Sequence, residues 1–122
     1  MRAFTLFAVV SAFAALPIVA AEDAISGKWQ IHQNVAGYEN DQTCTFTQKG
    51  NELTGACESD QGSVQIAGKV DDKKVTWSFK SEYNGTQFTV QYTGTVEPSK
   101  IAGTIHIPEF SVDGEFKATQ AK

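Results

Sequence analysis

Residues 74–97 read KVTWSFKSEYNGTQFTVQYTGTVE, and apolar and polar side chains alternate on both sides of a central Asn-Gly pair. Alternation of this kind is typical of a half-buried β-strand, and Asn-Gly tolerates the positive φ angles of a two-residue hairpin turn. A hairpin centred on residues 84–85 places Trp77 opposite Tyr92, on the same face as the other large apolar side chains. A shift of one residue would scatter these side chains over both faces, so the stretch predicts an antiparallel hairpin.

The same reasoning extends to the rest of the chain, where apolar residues alternate with polar ones between turns spaced about ten residues apart. Eight strands are predicted, over residues 26–33, 42–49, 52–58, 63–70, 74–81, 86–96, 100–107 and 112–119. The predicted pairs include Val70 with Val75, Gly68 with Trp77, Ile66 with Phe79, Phe79 with Val90, Val96 with Ile101 and Tyr92 with Ile105. We therefore predict an all-β fold, an eight-stranded antiparallel up-and-down (meander) β-barrel.

A weak repeat places a glycine between two large residues on the apolar face of six predicted strands. These glycines are Gly27, Gly55, Gly68, Gly94, Gly103 and Gly114. Glycine weakens a strand unless the backbone bends sharply or a facing ring needs the space. Coiled strands at this spacing favour a closed barrel, and a barrel of eight strands is either filled by its side chains or holds one small ligand.

The amino-terminal residues predict a secretory signal peptide. A charged start, Met1-Arg2, precedes an apolar run over residues 3–16 that is followed by small residues. The run is shorter than the roughly 20 residues that a membrane-spanning helix needs, and we place the cleavage after Ala21. The predicted organisation is a signal peptide at 1–21 and a single β-barrel domain at 22–122, in a secreted or periplasmic protein.

The charge of the predicted mature chain excludes two classes of partner. Residues 22–122 contain nine lysines, fourteen acidic residues and no arginine, a net charge of −5 with the histidines neutral. This composition lacks the basic footprint that nucleic acid or anionic lipid requires. An outer-membrane barrel would turn its apolar side chains outward between aromatic girdles, which does not fit the pattern. We expect no nucleic-acid partner and no membrane span in the mature form.

The two cysteines are predicted to form a disulfide. In a secreted chain an even number of cysteines favours this pairing. With Gly50-Asn51 as a turn, Cys44 and Cys57 lie opposite each other in a non-hydrogen-bonded pair, where Cα atoms approach most closely. The alternative is a metal site, but neither His32 nor His106 lies on the face of the cysteines, and we expect no metal.

The start of the first strand, Gly27-Lys28-Trp29, resembles the G-x-W that opens the barrel of calycin proteins, namely lipocalins, fatty-acid-binding proteins and avidins. The resemblance implies that the barrel is lipocalin-like, that Gly27 and Trp29 form a structural plug at its closed end and that the interior binds a ligand. The predicted mature chain, with about a hundred residues, is short for a lipocalin and has no arginine to pack on the tryptophan. Its G-x-W start, its strand-two cysteine and its signal peptide also resemble small periplasmic barrels that inhibit metalloproteases or lysozyme.

The predicted ligand site lies at the end of the meander with the longer connections, over residues 34–41, 58–62, 82–86 and 108–111. Acidic residues surround this mouth, namely Glu39, Asp41, Glu58, Asp60, Glu82 and Glu109. No lysine points inward within the strands, so a fatty-acid carboxylate would find no ion pair. The predicted ligand-binding residues are Phe46, Trp77, Phe79, Ser81, Phe88, Tyr92 and Tyr38, and Gln33 also points inward near the mouth. Tyr38 lies in the longest predicted loop, which we expect to act as a lid; the alternative for the rings is a packed core.

An enzymatic function is not expected, and neither is a cofactor. The chain has no nucleophile elbow, phosphate-binding loop or metal-ligand spacing. His32 and His106 are predicted to be surface residues. Glu109, beside an aromatic mouth, is the one carboxylate for which we expect a raised pKa and a general-base role.

Two functional hypotheses follow from the sequence. The first is a secreted or periplasmic carrier that binds a small neutral or cationic hydrophobic molecule inside the barrel. The second is a module that binds an extracellular protein through its loops, such as a protease or lysozyme inhibitor, with a packed core inside the barrel.

Overall fold

The chain folds as one closed barrel of eight antiparallel strands. The structure is a computed structural model that describes residues 25–121. The strands are β1 (Gly27–Val35), β2 (Tyr38–Lys49), β3 (Glu52–Ser59), β4 (Gly62–Asp71), β5 (Lys74–Tyr83), β6 (Thr86–Glu97), β7 (Lys100–Ile107) and β8 (Val112–Gln120). Each strand pairs with its neighbours in sequence, and β8 pairs with β1 to close the barrel. The predicted up-and-down barrel is confirmed.

The register of the central hairpin is the one that alternation predicts. Trp77 lies opposite both Gly68 on β4 and Tyr92 on β6. Asn84 and Gly85 have φ angles of 53° and 81°, as a two-residue turn with two left-handed residues requires. The large apolar side chains therefore enter the barrel together, and the threonine-rich face of the same strands meets solvent.

The prediction of a long lid loop around Tyr38 is wrong. β1 continues to Val35 and β2 begins at Tyr38, so only Ala36 and Gly37 connect them. Both have positive φ angles, and the Gly37 N–H donates to Asn34 Oδ1 at 2.9 Å. The residues of this hairpin are mostly polar, and they pair through backbone hydrogen bonds that require no apolar side chains. Hydrophobic alternation therefore does not detect these residues, and the predicted ends of both strands fell short of the observed ones.

The predicted pair of Ile66 with Phe79 does not form. The ladder between β4 and β5 ends at Ala67 opposite Ser78, although both strands continue beyond that point. Next to this end, a Cβ on Gly68 would lie only 2.6 Å from the Cα of Trp77. Such a close approach coils two strands tightly, and beyond it β4 and β5 separate toward the end of the barrel that carries the β5–β6 turn.

The disulfide between Cys44 and Cys57 is confirmed. It joins β2 to β3 with a Cα–Cα distance of 4.0 Å. Both residues are buried in the core. The bridge therefore fixes the β2–β3 hairpin at a point inside the barrel.

The end of the barrel that carries the β2–β3 turn is covered by the residues that precede β1. Ile25 is buried, and its carbonyl oxygen accepts a hydrogen bond from Trp29 Nε1 at 3.0 Å. The Gln48 side chain accepts from the Ile25 N–H at 3.2 Å and donates to the Gly50 carbonyl at 2.9 Å. These bonds hold the amino-terminal segment of the domain against the closed end.

The predicted signal peptide, residues 1–21, lies outside the described residues. Within residues 25–121, no helix has the length and apolar character needed to cross a membrane.

Candidate functional site

A pocket of about 240 Å³ opens at the end of the barrel opposite Ile25. The connections β1–β2, β3–β4, β5–β6 and β7–β8 lie at this end, as the sequence predicts for the mouth. Six lining residues present apolar or aromatic surface and four are uncharged polar residues. The lining consists of Val35, Tyr38, Phe79, Phe88, Val90, Ile107, Gln33, Asn40, Gln61 and Ser81. No charged side chain lines the pocket.

A second pocket, of about 130 Å³, adjoins the first where β4 and β5 separate. It also reaches Gly62 and Val64 on β4. Five lining residues belong to both pockets, namely Gln33, Asn40, Gln61, Phe79 and Ser81. The unpaired stretch between β4 and β5 therefore widens the mouth of the barrel on one side. Together the two pockets fall at the lower end of the size range of small-molecule sites.

Below the pocket a layer of four aromatic rings fills the barrel. Trp77 stacks on Tyr92 with ring centroids 4.8 Å apart and planes inclined by 11°. Phe116 packs edge-on against both rings at 5.3 Å, and Phe46 contacts Trp77 at 5.0 Å. All four side chains are buried. This aromatic layer (Phe46, Trp77, Tyr92 and Phe116) forms a packed core beneath the pocket.

Three polar side chains form a hydrogen-bonded triad between the aromatic layer and the pocket. The Tyr92 hydroxyl donates to Gln33 Oε1 at 2.6 Å. Gln42 Nε2 donates to the same Gln33 oxygen and to the Tyr92 hydroxyl oxygen, each at 3.0 Å. Burial raises the pKa of Tyr92 to about 12, and the bonds to Gln42 and Gln33 oppose that shift only in part. Tyr92 therefore stays a neutral donor at ordinary pH.

The predicted ligand-binding residues divide into two groups in the structure. Phe79, Ser81, Phe88 and Tyr38 line the pocket. Phe46, Trp77 and Tyr92 lie in the aromatic layer, and the Tyr92 hydroxyl contacts two lining residues, Gln33 of both pockets and Gln42 of the smaller one. Tyr38 occupies the first position of β2 with 69% of its surface exposed, at the rim of the mouth.

Several residues of the site were missed from the sequence. Gln42 is 9% exposed and is part of the triad, whereas Val35, Asn40, Gln61 and Ile107 line the pocket. Gln42 begins the predicted strand 42–49 and lies two residues before Cys44, so alternation places it on the inner face. Val35 and Ile107 are the last residues of their strands, Asn40 lies near the start of β2 and Gln61 lies in the β3–β4 turn. Hydrophobic periodicity gives its weakest signal at such positions.

Glu109 stabilises the edge of β6 and does not have the raised pKa expected from the sequence. Its carboxylate accepts hydrogen bonds from the Thr89 N–H at 2.9 Å and from Thr89 Oγ1 at 3.2 Å. The bond from the Thr89 backbone lowers the pKa of Glu109, with a smaller contribution from the charge of Lys80. Because β7 pairs with β6 only as far as Gln91, this carboxylate takes the place of a strand at the β6 edge. Glu109 is thus a structural cap.

The two histidines lie on the outer surface, as predicted, and each contacts carboxylates. His32 contacts Asp41 Oδ1 through Nδ1 at 2.6 Å and Glu39 Oε1 through Nε2 at 2.9 Å. The hydrogen bond with Asp41, followed by the one with Glu39, raises the pKa of His32 above its usual 6.5. His106 contacts Asp113 at 2.6 Å. Both rings face away from the pocket.

The acidic residues predicted around the mouth are all exposed and remain outside the pocket lining. Within residues 25–121, no group of three or more His, Cys, Asp or Glu side chains is arranged to hold a metal ion. No protein-family model and no curated protein matches the sequence.

Proposed function

We propose that this protein is a binding protein that holds a small, uncharged and largely apolar molecule in the pocket at the open end of the barrel. The proposal also places the protein in an oxidising compartment, the periplasm or the extracellular medium, where the Cys44–Cys57 disulfide persists. In this respect it would act as a small carrier of the calycin kind, with its site above a packed aromatic layer.

The observation that carries the proposal is the lining of the pocket. Apolar side chains with a few uncharged polar groups and no charge are the composition expected of a site for a neutral organic molecule. The depth of the site is set by Trp77 and Tyr92, which fill the barrel beneath it. A volume of about 240 Å³ favours a molecule of one ring or a short chain over a long fatty acid.

The distribution of charge in and around the pocket gives a second argument for an uncharged ligand. A carboxylate placed in the pocket would lose its hydration without gaining an ion pair, because no lysine lines the site. The exposed acidic residues outside the pocket, such as Glu39 and Glu82, add repulsion that salt weakens. Anions should therefore bind worst, and a ligand with a positive group could keep that group at the acidic rim.

The test uses four aromatic probes of similar size, namely ethylbenzene, acetophenone, 1-phenylethylamine and benzoate. Each is titrated into isotope-labelled protein, and amide resonances are followed by NMR. We expect the neutral probes to shift resonances around Phe79, Ser81 and Ile107, and benzoate to bind most weakly.

A matched pair of variants tests whether the probes bind in the pocket. Ser81→Trp places a large ring inside the pocket, because Ser81 lines it from β5. Gln87→Trp places the same ring on the exposed face of the neighbouring strand β6. Ser81→Trp should abolish the shifts caused by ethylbenzene and Gln87→Trp should retain them. Absence of binding by every neutral probe in the wild type, or equal loss in both variants, would refute the proposal.

A second candidate function is the binding of another protein at the same end of the barrel. It is favoured by three exposed aromatic side chains there, Tyr38, Tyr83 and Phe110, which are 69%, 66% and 42% exposed. Aromatic residues are enriched in protein interfaces. Under this hypothesis Tyr83→Ser lowers the recovery of a partner from the secreted fraction and leaves ethylbenzene binding unchanged, because Tyr83 is not part of the pocket lining.

A further inference from the structure

The orientation of the Gln33 carboxamide is fixed by its two neighbours. Its oxygen accepts one hydrogen bond from the Tyr92 hydroxyl and another from Gln42 Nε2. Tyr92 and Gln42 are also bonded to each other, with Gln42 Nε2 donating to the hydroxyl oxygen at 3.0 Å. With Gln42 placed as it is, turning the Gln33 amide over would set its NH₂ group against the NH₂ group of Gln42 and would take away the acceptor of the Tyr92 hydroxyl hydrogen, so the oxygen faces the core.

The nitrogen of the same amide is therefore left for the pocket. Gln33 lines both the larger and the smaller pocket, and its Nε2 makes no hydrogen bond to any of residues 25–121. An amide nitrogen donates and cannot accept. The other polar lining residues, Asn40, Gln61 and Ser81, have no hydrogen bond from the triad to set their direction.

We propose that Gln33 Nε2 selects ligands that carry an uncharged oxygen acceptor, such as the carbonyl group of a ketone, ester or amide. This inference rests on the proposed function and specifies the chemical class of its ligand. The acceptor group points toward Gln33 at the floor of the pocket, and the apolar body of the ligand contacts Phe79, Phe88 and Val90. Tyr92 and Gln42 act as positioning residues, because they touch Gln33 and hold its oxygen away from the ligand.

The energetic consequence is modest but measurable. A hydrogen bond between neutral groups contributes about as much as a five- to tenfold change in dissociation constant. Acetophenone and ethylbenzene share a ring and a short side chain and differ in the carbonyl oxygen. The ratio of their dissociation constants therefore isolates the hydrogen bond when it is compared between variants, since the difference in hydrophobicity between the probes cancels.

The decisive variant is Gln33→Glu. A carboxylate keeps two oxygens, so it still accepts from Tyr92 and Gln42, but it presents an oxygen to the pocket where the wild type presents NH₂. We expect the affinity for acetophenone relative to ethylbenzene to fall about five- to tenfold. The relative affinity for 1-phenylethylamine should rise, because its ammonium group can donate to the new acceptor. Gln87→Glu, the same chemical change on the exposed face of β6, controls for the added charge.

A second variant tests the positioning role of Tyr92. Tyr92→Phe removes the donor that holds the Gln33 oxygen and keeps the ring within the aromatic layer. Gln42 Nε2 alone then holds the Gln33 oxygen, so the amide presents its nitrogen to the pocket less strictly. Acetophenone should therefore lose affinity relative to ethylbenzene, while ethylbenzene itself binds as before. A purely structural role of the hydroxyl would weaken both probes equally.

The outcomes separate this inference from the function on which it rests. If ethylbenzene and acetophenone both bind but their ratio is the same in the wild type and in Gln33→Glu, the selection by Gln33 is wrong and the pocket remains a binding site. An equal change of the ratio in Gln87→Glu would also overturn it, because charge alone would then be the cause. If neither probe binds to the wild type, the proposed function and this inference fail together.

Discussion

The Cα of Trp77 occupies the space that a side chain on Gly68 would need. A Cβ built on Gly68 would lie 2.6 Å from that atom and closer still to the carbonyl oxygen of Thr76. The two residues face each other across β4 and β5, one residue pair before the ladder ends at Ala67 and Ser78. This close crossing positions Trp77 in the aromatic layer and opens the barrel above it.

Gly68→Ala should therefore destabilise the fold more than the same change at Gly94. At Gly68 the new methyl group meets backbone atoms, which cannot move without displacing β5. At Gly94 its nearest neighbours are side-chain atoms of Ile101, at 2.9 Å, and Phe116, at 3.0 Å, and the nearest backbone atom, the Ala102 carbonyl oxygen, is 3.1 Å away, so the backbone has to move less. Overpacking of this kind costs about 1–3 kcal/mol. Urea denaturation of both variants measures their free energies of unfolding and shows which variant is less stable. A Gly68→Ala protein as stable as the wild type would contradict the prediction.

The disulfide should contribute a large part of the stability of this small domain. Cys44 and Cys57 are 13 residues apart, and closing a loop of that length is worth on the order of 3 kcal/mol in the chain-entropy model. Cys57→Ser should lower the melting temperature by roughly 12–24 °C in a domain of this size. Ala56→Ser, on the adjacent position of β3, serves as the control. Full reduction of the disulfide in the wild type should reproduce most of the decrease in melting temperature. A melting temperature that does not change on reduction would refute the prediction.

The ionisation of His32 should make the free energy of unfolding depend on pH. Its pKa in the folded state is raised above 6.5 by the hydrogen bonds to Asp41 and Glu39. The stabilisation is therefore fully present below pH 6.5 and is lost as the pH rises through the higher folded value. NMR titration of the ring should give a midpoint above 6.5, which Asp41→Asn moves downward. An unchanged midpoint in that variant would mean that the contact with Asp41 has no electrostatic effect in solution.

Tyr92 should contribute a second pH dependence at the alkaline end. Its pKa is raised to about 12 in the fold and is near 10 in the unfolded chain. Its neutral form stabilises the fold fully below pH 10, and this contribution, up to about 3 kcal/mol, is lost as the pH rises toward 12. Wild-type stability should thus fall more steeply than that of Tyr92→Phe between these values. Parallel curves from chemical denaturation of the two proteins would contradict the burial of the hydroxyl.

The sequence by itself determined the fold class, the number of strands and most of the register. Alternation assigns each side chain to one face, and turns such as Asn84-Gly85 set which residues face each other. For the same reason the pairing of Cys44 with Cys57 followed from counting residues away from a turn. These features depend on local geometry, which a pattern of neighbouring residues records directly.

Only the tertiary structure decided where the barrel is full and where it is open. Phe46, Trp77 and Phe79 share one face in the sequence pattern, yet the first two lie in the packed layer and Phe79 lines the pocket. The depth of each ring depends on the stagger of strands around the barrel and on the separation of β4 from β5, which no single hairpin specifies. The contact between Gln33 and Tyr92 joins residues 59 positions apart. Such a contact exists only after the barrel has closed, since β1 and β6 are not neighbours in the sheet.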